Sequence, residues 1–241
     1  MHDRRAILVT GSTFGIGRAI ATLAAARGMQ VVLNSARSSQ AGAELARSLP
    51  GACYVQADVA DPDQARLLVE RALEHFGRLD VLVNNAGTTR RIPHEDLAAV
   101  DRTVWQEILD VNVVGTWQTT QAAVEALRRT SGSVINMSSV AGSSLAGSCI
   151  PYAVSKAAIN HMTRLLAGAL GPGIRVNAVA PGLIDTRWTQ GFDDIRAHVE
   201  STVPLRRIGT PEEVAEAVLW LADADYTTGA VLGTDGGAHL L

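Results

Sequence analysis

Tyr152 lies four residues before Lys156, the only lysine in the sequence. Lysine and arginine together number 21, so the other 20 basic side chains are arginines. A spacing of four places two helical side chains on one face, one turn apart. A positive charge beside a phenol favours the phenolate and lowers the pKa of the phenol, which suits a tyrosine that transfers a proton near neutral pH. The pair therefore predicts general acid–base chemistry at Tyr152.

A glycine-rich segment near the start of the chain could bind a phosphate-bearing cofactor. The sequence TGSTFGIG (residues 10–17) joins a predicted strand to a predicted helix. In such a unit, glycines let the backbone approach a pyrophosphate, and the helix N-terminus supplies free N–H groups. The spacing Gly-x-x-x-Gly-x-Gly differs from the GxGxxG form, and by itself it also fits a tight turn without a ligand.

Alternating strand and helix patterns must position these residues. β-Branched runs predict strands at 6–10, 31–34, 52–56, 80–84, 133–138, 174–180 and 230–234. Helical patterns fill the gaps, for example at 16–27, 62–76, 103–129, 152–170 and 211–222. This alternation predicts one α/β domain over residues 1–241, built on parallel strands. Residues 183–203 mix aromatic and polar side chains, and they are either an ordinary surface loop or a lid over a site.

The composition excludes several classes of protein. The chain has 241 residues, 47% of them hydrophobic, and a formal net charge of −3, so it can bury one sizeable core. The arginines are dispersed, which argues against a nucleic-acid partner, and Cys53 and Cys149 are too few for a disulfide framework. The apolar run at 6–9 is too short for a signal peptide. No stretch approaches the roughly 18 apolar residues of a membrane span, so we expect a cytoplasmic protein.

Further polar residues follow the predicted strands at their carboxyl ends, where an open parallel sheet binds its ligand. They are Asp58 and Val59 after the third strand, NNAG (84–87) after the fourth, Ser138 and Ser139 after the fifth, and PGLIDT (181–186) after the sixth. In order along the chain, TGxxxGxG, NNAG, a serine 13 residues before the tyrosine of YxxxK, and PGxxxT resemble the motifs of a single-domain short-chain dehydrogenase/reductase. The resemblance covers essentially the whole chain.

The resemblance implies both a fold and an activity. The fold is a Rossmann fold, a doubly wound sheet of seven parallel strands with helices on both faces. The activity is NAD(P)(H)-dependent transfer of hydride between a nicotinamide and a carbonyl compound or secondary alcohol. Family members are commonly homotetramers assembled through two long helices, here 103–129 and 152–170, so we expect a homotetramer. No metal site is predicted.

The resemblance also assigns catalytic roles. Tyr152 is the general acid or base. Lys156 binds the nicotinamide ribose hydroxyls and lowers the tyrosine pKa. Ser139, rather than its neighbour Ser138, orients the substrate oxygen. Asn112 helps to hold a water near the lysine in a proton relay.

The choice of cofactor depends on the end of the second strand, where an acidic side chain would favour NAD(H). This chain has no acid there, and Arg37 could bind a 2′-phosphate bidentately, although it could also be a solvated side chain. Phe14 occupies the family's other basic position, so one arginine supports NADP(H), which we favour over NAD(H). The implied cofactor contacts are Gly11, Ser12, Thr13, Phe14, Gly15, Ile16, Gly17, Ser35, Arg37, Asp58, Val59, Asn85, Ala86, Gly87, Tyr152, Lys156, Pro181, Gly182, Ile184 and Thr186.

The substrate is less well defined. Ser139, Leu145, Trp188 and Phe192 are the predicted substrate contacts, and their mixture suits a small or medium carbonyl compound with apolar parts. Thr88, Thr89 and Ile150 are further pocket candidates. Arg90 and Arg91 could bind an anionic substrate, but a solvated arginine pair is the favoured interpretation.

Several alternatives remain for the function. The C-terminal half most resembles 3-oxoacyl carrier-protein reductases and related sugar or alcohol dehydrogenases. The base that carrier-protein reductases place before their sixth strand is absent at Gly171-Pro172-Gly173, although Arg128 and Arg129 occupy the place of another. A carrier-bound substrate is therefore open but not favoured. A dinucleotide-sensing protein without catalysis would not need the intact Ser139, Tyr152 and Lys156 set, and an epimerase or dehydratase of a related fold would have a longer chain.

Overall fold

The apolar strand sequences form one seven-stranded parallel sheet in the computed structural model, which describes residues 4–241. The strand order is β3-β2-β1-β4-β5-β6-β7, so the direction of winding reverses between β1 and β4. In an open α/β sheet, such a reversal creates a ligand-binding crevice at the carboxyl ends of the strands. The strands are β1 (Ala6–Val9), β2 (Gln30–Ser35), β3 (Ala52–Gln56), β4 (Val81–Asn84), β5 (Ser133–Met137), β6 (Arg175–Pro181) and β7 (Val231–Thr234).

Helices cover both faces of the sheet. Neighbouring residues of β1 point to opposite faces, with Ile7 in one buried cluster and Leu8 in the other, as the two-residue period of a strand requires. Helices α1, α2 and α8 pack on the first cluster, and α3, α5 and α6 on the second. The doubly wound fold is therefore confirmed. The helices are α1 (Gly15–Ala26), α2 (Ser39–Ser48), α3 (Pro62–Phe76), α4 (Arg102–Leu109), α5 (Gly115–Thr130), α6 (Ile150–Leu170), α7 (Asp193–Thr202) and α8 (Pro211–Asp223).

The long helix predicted at 103–129 is divided in the structure. Helices α4 and α5 are joined by a π-helical turn, Asp110–Val114. This turn contains Asn112, which is buried. π-Turns inside α-helices occur frequently at functional sites, and the residue periodicity did not reveal this one.

Helix α6 carries the Tyr152–Lys156 pair. It begins at Ile150, with Pro151 in its first turn, where proline costs no hydrogen bond. The buried residues of α6 include four polar side chains, Ser155, Lys156, Asn160 and Thr163. In the part of the chain that the structure describes, no helix is long and apolar enough to cross a membrane.

Residues 183–203 contain more regular structure than the sequence indicated. A 3₁₀ turn covers Arg187–Thr189, and α7 follows at Asp193–Thr202. An isolated bridge joins Ile184, at the start of this region, to Gly209, which lies beyond its end. Helix α2, at Ser39–Ser48, fills the gap between β2 and β3, where the sequence predicted a helical pattern without bounds.

Candidate functional site

A cleft of about 1270 Å³ opens at the carboxyl ends of the strands. Its walls are the glycine-rich loop, the segments after β4, β5 and β6, residues 183–209 and the C-terminal segment 233–241. A pocket for one drug-sized ligand measures roughly 300–1000 Å³, so the cleft can hold a dinucleotide and a second molecule. The predicted cofactor contacts that line it are Gly11, Thr13, Phe14, Gly15, Ile16, Gly17, Asn85, Ala86, Gly87, Tyr152, Lys156, Pro181, Gly182, Ile184 and Thr186.

The glycine-rich loop is held close to the segment after β4. Asn85 donates from Nδ2 to the carbonyls of Thr10 (2.9 Å) and Gly11 (3.0 Å). Thr10 Oγ1 accepts from the backbone N–H groups of Asn85 and Ala86. A Cβ atom at Gly17 would lie 2.5 Å from both the Gly11 carbonyl oxygen and Asn85 Nδ2. A side chain at residue 17 would therefore force the loop and the strand end apart.

The first turn of α1 fits the diphosphate of a dinucleotide. Its N-cap residue, Phe14, has an extended backbone and makes no side-chain hydrogen bond to the helix. Gly15, at φ +53°, leads directly into the helix. No side chain caps the N–H groups of this turn, so an anion can accept hydrogen bonds from them.

Five predicted cofactor contacts do not line the cleft. Ser35 is buried, and its hydroxyl lies 2.8 Å from the Tyr54 hydroxyl. Asp58 accepts from the backbone N–H of Ala60 (3.0 Å), and a Cβ on Gly115 of α5 would lie 2.8 Å from Val59. These contacts serve the local structure at the ends of β2 and β3. The five residues are Ser12, Ser35, Arg37, Asp58 and Val59.

Arg37 follows the carboxyl end of β2 by two residues. Its side chain is exposed and makes no ion pair with any residue in 4–241. Hydrogen bonds on either side of Arg37 fix the backbone of this segment. Asn34 Nδ2 donates to the carbonyls of Val55 and Ala57, and Ser35 Oγ accepts from the Ser38 N–H. Arg37 is therefore free to meet an anion.

Ser139, Tyr152 and Lys156 come together in the cleft. The Ser139 hydroxyl accepts from the Ala141 N–H (3.2 Å) and lies near enough to Tyr152 to act on the pKa of the phenol. Ser138 points elsewhere, because its hydroxyl donates to Asn160 Oδ1 (2.5 Å) and to the Lys156 carbonyl (3.3 Å). The serine closer to the tyrosine in space is therefore the one that the sequence motif selected.

Burial sets the protonation of this group. Lys156 Nζ donates to the Met137 carbonyl (2.8 Å) and lies 5.5 Å from the centre of the Tyr152 ring. Burial lowers the pKa of Lys156 to about 8. Burial also raises the pKa of Tyr152, and the nearby Ser139 hydroxyl opposes this shift only in part. The direction of this shift is opposite to the lowering that the sequence predicted at Tyr152, and desolvation by burial is its largest cause.

Asn112 lies behind the cleft rather than on its wall. Its Oδ1 accepts from the Thr88 N–H (2.7 Å), and its Nδ2 donates to the Thr88 carbonyl (3.0 Å) and to Ser155 Oγ (3.0 Å). The Asn112 carbonyl accepts from Thr116 Oγ1 (2.8 Å). The asparagine thus connects the segment after β4 to α6, close to Lys156.

The predicted substrate contacts belong to the outer part of the cleft. Trp188 lies beside Tyr152, with ring centres 6.3 Å apart. Phe192 and Leu145 also line this region, and Leu145 is 96% exposed. These apolar side chains surround the entrance above the tyrosine hydroxyl.

Arg90 and Arg91 are exposed, and each forms an ion pair with an acidic side chain. Arg90 forms an ion pair with Glu107 of α4 (2.7 Å). Arg91 pairs with Asp194 of α7 (2.8 Å) and donates to the Gly191 carbonyl (2.6 Å). Both side chains remain about half exposed, which agrees with the interpretation as a solvated pair, and α7 brings Arg91 an acid that the sequence did not reveal.

Two parts of the cleft, Arg187 and the C-terminal segment, were not identified from the sequence. Arg187 lines the cleft and stacks on Phe14 of the glycine-rich loop, with its guanidinium carbon 4.5 Å from the ring centre. The C-terminal segment also contributes, where buried Asp235 accepts from the Gly237 and His239 N–H groups. The Gly236-Gly237 pair, with positive φ at both residues, was the available signal for this sharp turn.

Comparison with known proteins identifies the family. Residues 11–239 match the family model described as "Enoyl-(Acyl carrier protein) reductase". The chain is 61% identical over 238 residues to the "Granaticin polyketide synthase putative ketoacyl reductase 2" of Streptomyces violaceoruber, covering 97% of this chain and 96% of that protein. It is 39% identical to the 3-oxoacyl-[acyl-carrier-protein] reductase of Thermotoga maritima, with 98% of each chain covered.

The solved structures agree with these relatives. A short-chain dehydrogenase/reductase of the glucose/ribitol dehydrogenase type from Brucella melitensis superposes with a TM-score of 0.91 at 31% identity, covering 97% of this chain and 96% of that one. The matching models, relatives and structure extend over nearly the whole chain and include the glycine-rich loop and the tyrosine–lysine pair. The protein therefore belongs to the classical short-chain dehydrogenase/reductase family and is an NAD(P)-dependent oxidoreductase.

Proposed function

We propose that the protein is an NADPH-dependent ketoacyl reductase, which converts the ketone of an acyl substrate to a secondary alcohol. The observation that carries this proposal is the grouping of a partly buried Tyr152 with Ser139 and Lys156 in a cleft whose entrance is lined by apolar side chains. The name of the Streptomyces relative, at 61% identity, supports the ketoacyl substrate. Because of this relative, we now favour a ketone on an acyl chain as the substrate, rather than a small carbonyl compound in general.

Tyr152 acts as the proton donor. Because burial raises its pKa, the phenol is protonated at neutral pH, and a protonated phenol suits the reductive direction. Ser139 orients the substrate oxygen toward the tyrosine hydroxyl. As negative charge develops on that oxygen, the two hydroxyl groups stabilise it and Tyr152 delivers the proton.

Lys156 and Asn112 support the donor. Lys156 Nζ lies on the cofactor side of Tyr152, where it can bind ribose hydroxyls. Asn112 fixes the strand end that faces this lysine through its two hydrogen bonds with Thr88. The nicotinamide, when bound, supplies the hydride to the carbonyl carbon. Residues 183–203 form the lid that excludes water from the transfer.

Arg37 supports the preference for NADPH, because a free guanidinium suits a 2′-phosphate better than a 2′-hydroxyl. Replacement of Arg37 by alanine should weaken NADPH binding about tenfold and leave NADH binding nearly unchanged. Fluorescence titration with each cofactor measures both affinities. A clear preference of the unaltered protein for NADH would contradict the assignment.

The substrate is tested with a matched panel at 340 nm. The panel contains 3-oxoacyl thioesters of N-acetylcysteamine with short and medium acyl chains, the corresponding simple ketones, and glucose with NADP⁺. We expect the thioesters to have the highest kcat/KM, rising with acyl length as the chain fills the apolar entrance. Preference for the sugar would favour a polyol dehydrogenase instead. Cofactor binding without any consumption would favour a sensing protein.

A further inference from the structure

The lid and the glycine-rich loop contact each other at two neighbouring residues on each side. Arg187 of the lid stacks on Phe14, at 4.5 Å from the ring centre. Thr186 packs beside Gly15, where an added Cβ would lie 3.3 Å from Thr186 Cγ2. This contact lies at the N-terminus of α1, on the wall of the cleft.

The backbone of the lid holds Arg187 in place. Thr189 Oγ1 accepts from the Thr186 N–H (3.2 Å) and donates to the Ile184 carbonyl (2.7 Å). These bonds close the 3₁₀ turn Arg187–Thr189 immediately after β6. The guanidinium is thus presented to the loop by a short, internally bonded turn rather than by a free chain.

The charge of Arg187 has no acidic partner within residues 4–241. The other arginine of the lid, Arg196, is paired with Asp185 at 2.9 Å. Arg91, which reaches the lid from the segment after β4, is paired with Asp194. Arg187 is therefore the guanidinium at the lid that is available for an anion in the cleft.

The position of this free charge indicates which anion it meets. The N-terminus of α1 carries a partial positive charge, and Arg187 brings a full positive charge beside it. Both positive features attract an anion that lies between them, and the exposed Arg187 side chain can reach one in the cleft. In an NAD(P)-dependent enzyme of this fold, the anion at that helix end is the diphosphate of the dinucleotide.

We propose that Arg187 binds the cofactor diphosphate, so that the lid and the glycine-rich loop hold it from opposite sides. Stacking on Phe14 orients the guanidinium and reduces the entropy lost when it binds. Binding of the dinucleotide then favours the closed lid, because the closed lid places Arg187 at the phosphates. This proposal rests on the proposed use of a dinucleotide but not on the identity of the substrate.

The test is cofactor binding in the absence of substrate. Arg187→Ala should weaken the binding of NADPH and of NADH by the same factor, about tenfold or more, since both carry the diphosphate. The variant should also show a smaller dependence of affinity on salt concentration, because one screened charge contact is gone. Arg196→Ala, a lid arginine that already has an internal partner, is the matched control and should bind both cofactors as the unaltered protein does.

Phe14→Ala tests the stacking. Its loss should weaken both cofactors by about two- to fivefold, the range of an exposed cation–π contact. The double variant should bind no more weakly than Arg187→Ala alone, since Phe14 acts through the arginine.

Three outcomes would overturn the proposal. Unchanged affinity in Arg187→Ala would show that the arginine does not touch the cofactor. A loss for NADPH alone would assign the residue to the 2′-phosphate. An equal loss in Arg196→Ala would show that a loosened lid, rather than a lost charge, explains the effect. If the unaltered protein bound neither dinucleotide, the proposed function would fail first, and activity toward thioesters would be absent as well.

Discussion

Burial shifts the pKa values of Tyr152 and Lys156 in opposite directions. It raises the pKa of Tyr152 and lowers that of Lys156 to about 8. In both cases the neutral form is favoured, because the charged form loses its hydration. The tyrosine is consequently ready to donate a proton at neutral pH, and the lysine can lose its own charge within an accessible pH range.

Tyr152→Phe removes the donor and keeps the ring. We expect kcat for ketone reduction to fall by about 10²- to 10⁴-fold, the usual contribution of a positioned general acid. NADPH affinity should change little, because the ring still packs beside Trp188. Steady-state kinetics and a binding titration give the two values, and undiminished turnover would remove Tyr152 from the mechanism.

Lys156 predicts a pH dependence of stability in the protein without cofactor. Its folded-state pKa of about 8 lies below the ordinary 10.5, so between these values the unfolded chain binds more protons. Stability should therefore rise with pH through this window, by about 1 kcal/mol between pH 8 and 9. Tyr152 contributes only above pH 10, since its pKa is raised from 10.0.

Urea denaturation at pH 7, 8 and 9 measures this effect. Lys156→Met is the control, since it removes the titrating group and keeps an unbranched side chain. The difference in stability between the two proteins should change with pH in the stated direction. Parallel curves would show that the lysine titrates at its ordinary pKa.

Among the secondary-structure elements, the π-helical turn Asp110–Val114 has the clearest effect on the site. It presents Asn112 sideways to Thr88 and Ser155, so that one amide connects the end of β4 to α6. The Thr88 N–H and carbonyl depend on this amide in the folded protein. The turn thereby fixes the strand end opposite Lys156.

Asn112→Ala leaves the Thr88 N–H without its acceptor. We expect a loss of about 1–3 kcal/mol in the free energy of unfolding, the cost of an unsatisfied buried polar group. Gln40→Ala, which removes an exposed amide bonded to Glu44 on α2, should cost less than about 0.5 kcal/mol. Equal effects in urea denaturation would show that Asn112 has no special structural role.

The lid shows how elements distant in sequence are combined. Arg91 attaches α7 from the segment after β4, and Arg187 contacts the glycine-rich loop after β1. The first contact joins the lid to the segment after β4, and the second joins it to the segment after β1. Both contacts hold part of residues 183–203 beside the cleft, which is the position that a lid requires.

At the scale of the whole molecule, both long helices expose large apolar side chains. Trp117 on α5 is 46% exposed, and Leu165 on α6 is 61% exposed. A second exposed group lies on and after α8, at Trp220 and Tyr226. Exposed apolar groups of this kind mark interaction surfaces, and two different two-fold contacts suffice to build a closed tetramer.

Trp117→Glu tests the proposed homotetramer. A charge on α5 should break the contact through the long helices and leave a dimer joined at the second surface. Sedimentation velocity should show a tetramer for the unaltered protein and half that mass for the variant. Trp220→Glu is the matched change on the other surface and should also leave a dimer, whereas a monomeric unaltered protein would contradict the expectation.

Much of the fold followed from local sequence patterns. The strands lie within one or two residues of their predicted ends, because β-branched runs and glycine turns act over short distances. The exceptions also have physical reasons. Helix α7 has no buried residue and few apolar side chains, so its sequence gives little periodic signal. The π-helical turn accompanies the hydrogen bonds of Asn112, which residue spacing does not report.

The sequence by itself determined the family, the sheet and the grouping of Ser139, Tyr152 and Lys156, because ordered motifs at strand ends must meet at one edge of a parallel sheet. Only the tertiary structure decided the direction of the Tyr152 pKa shift, the partners of Arg91 and the stacking of Arg187 on Phe14. These features depend on burial and on contacts between residues about 100 or more positions apart. A local sequence pattern contains no information about either.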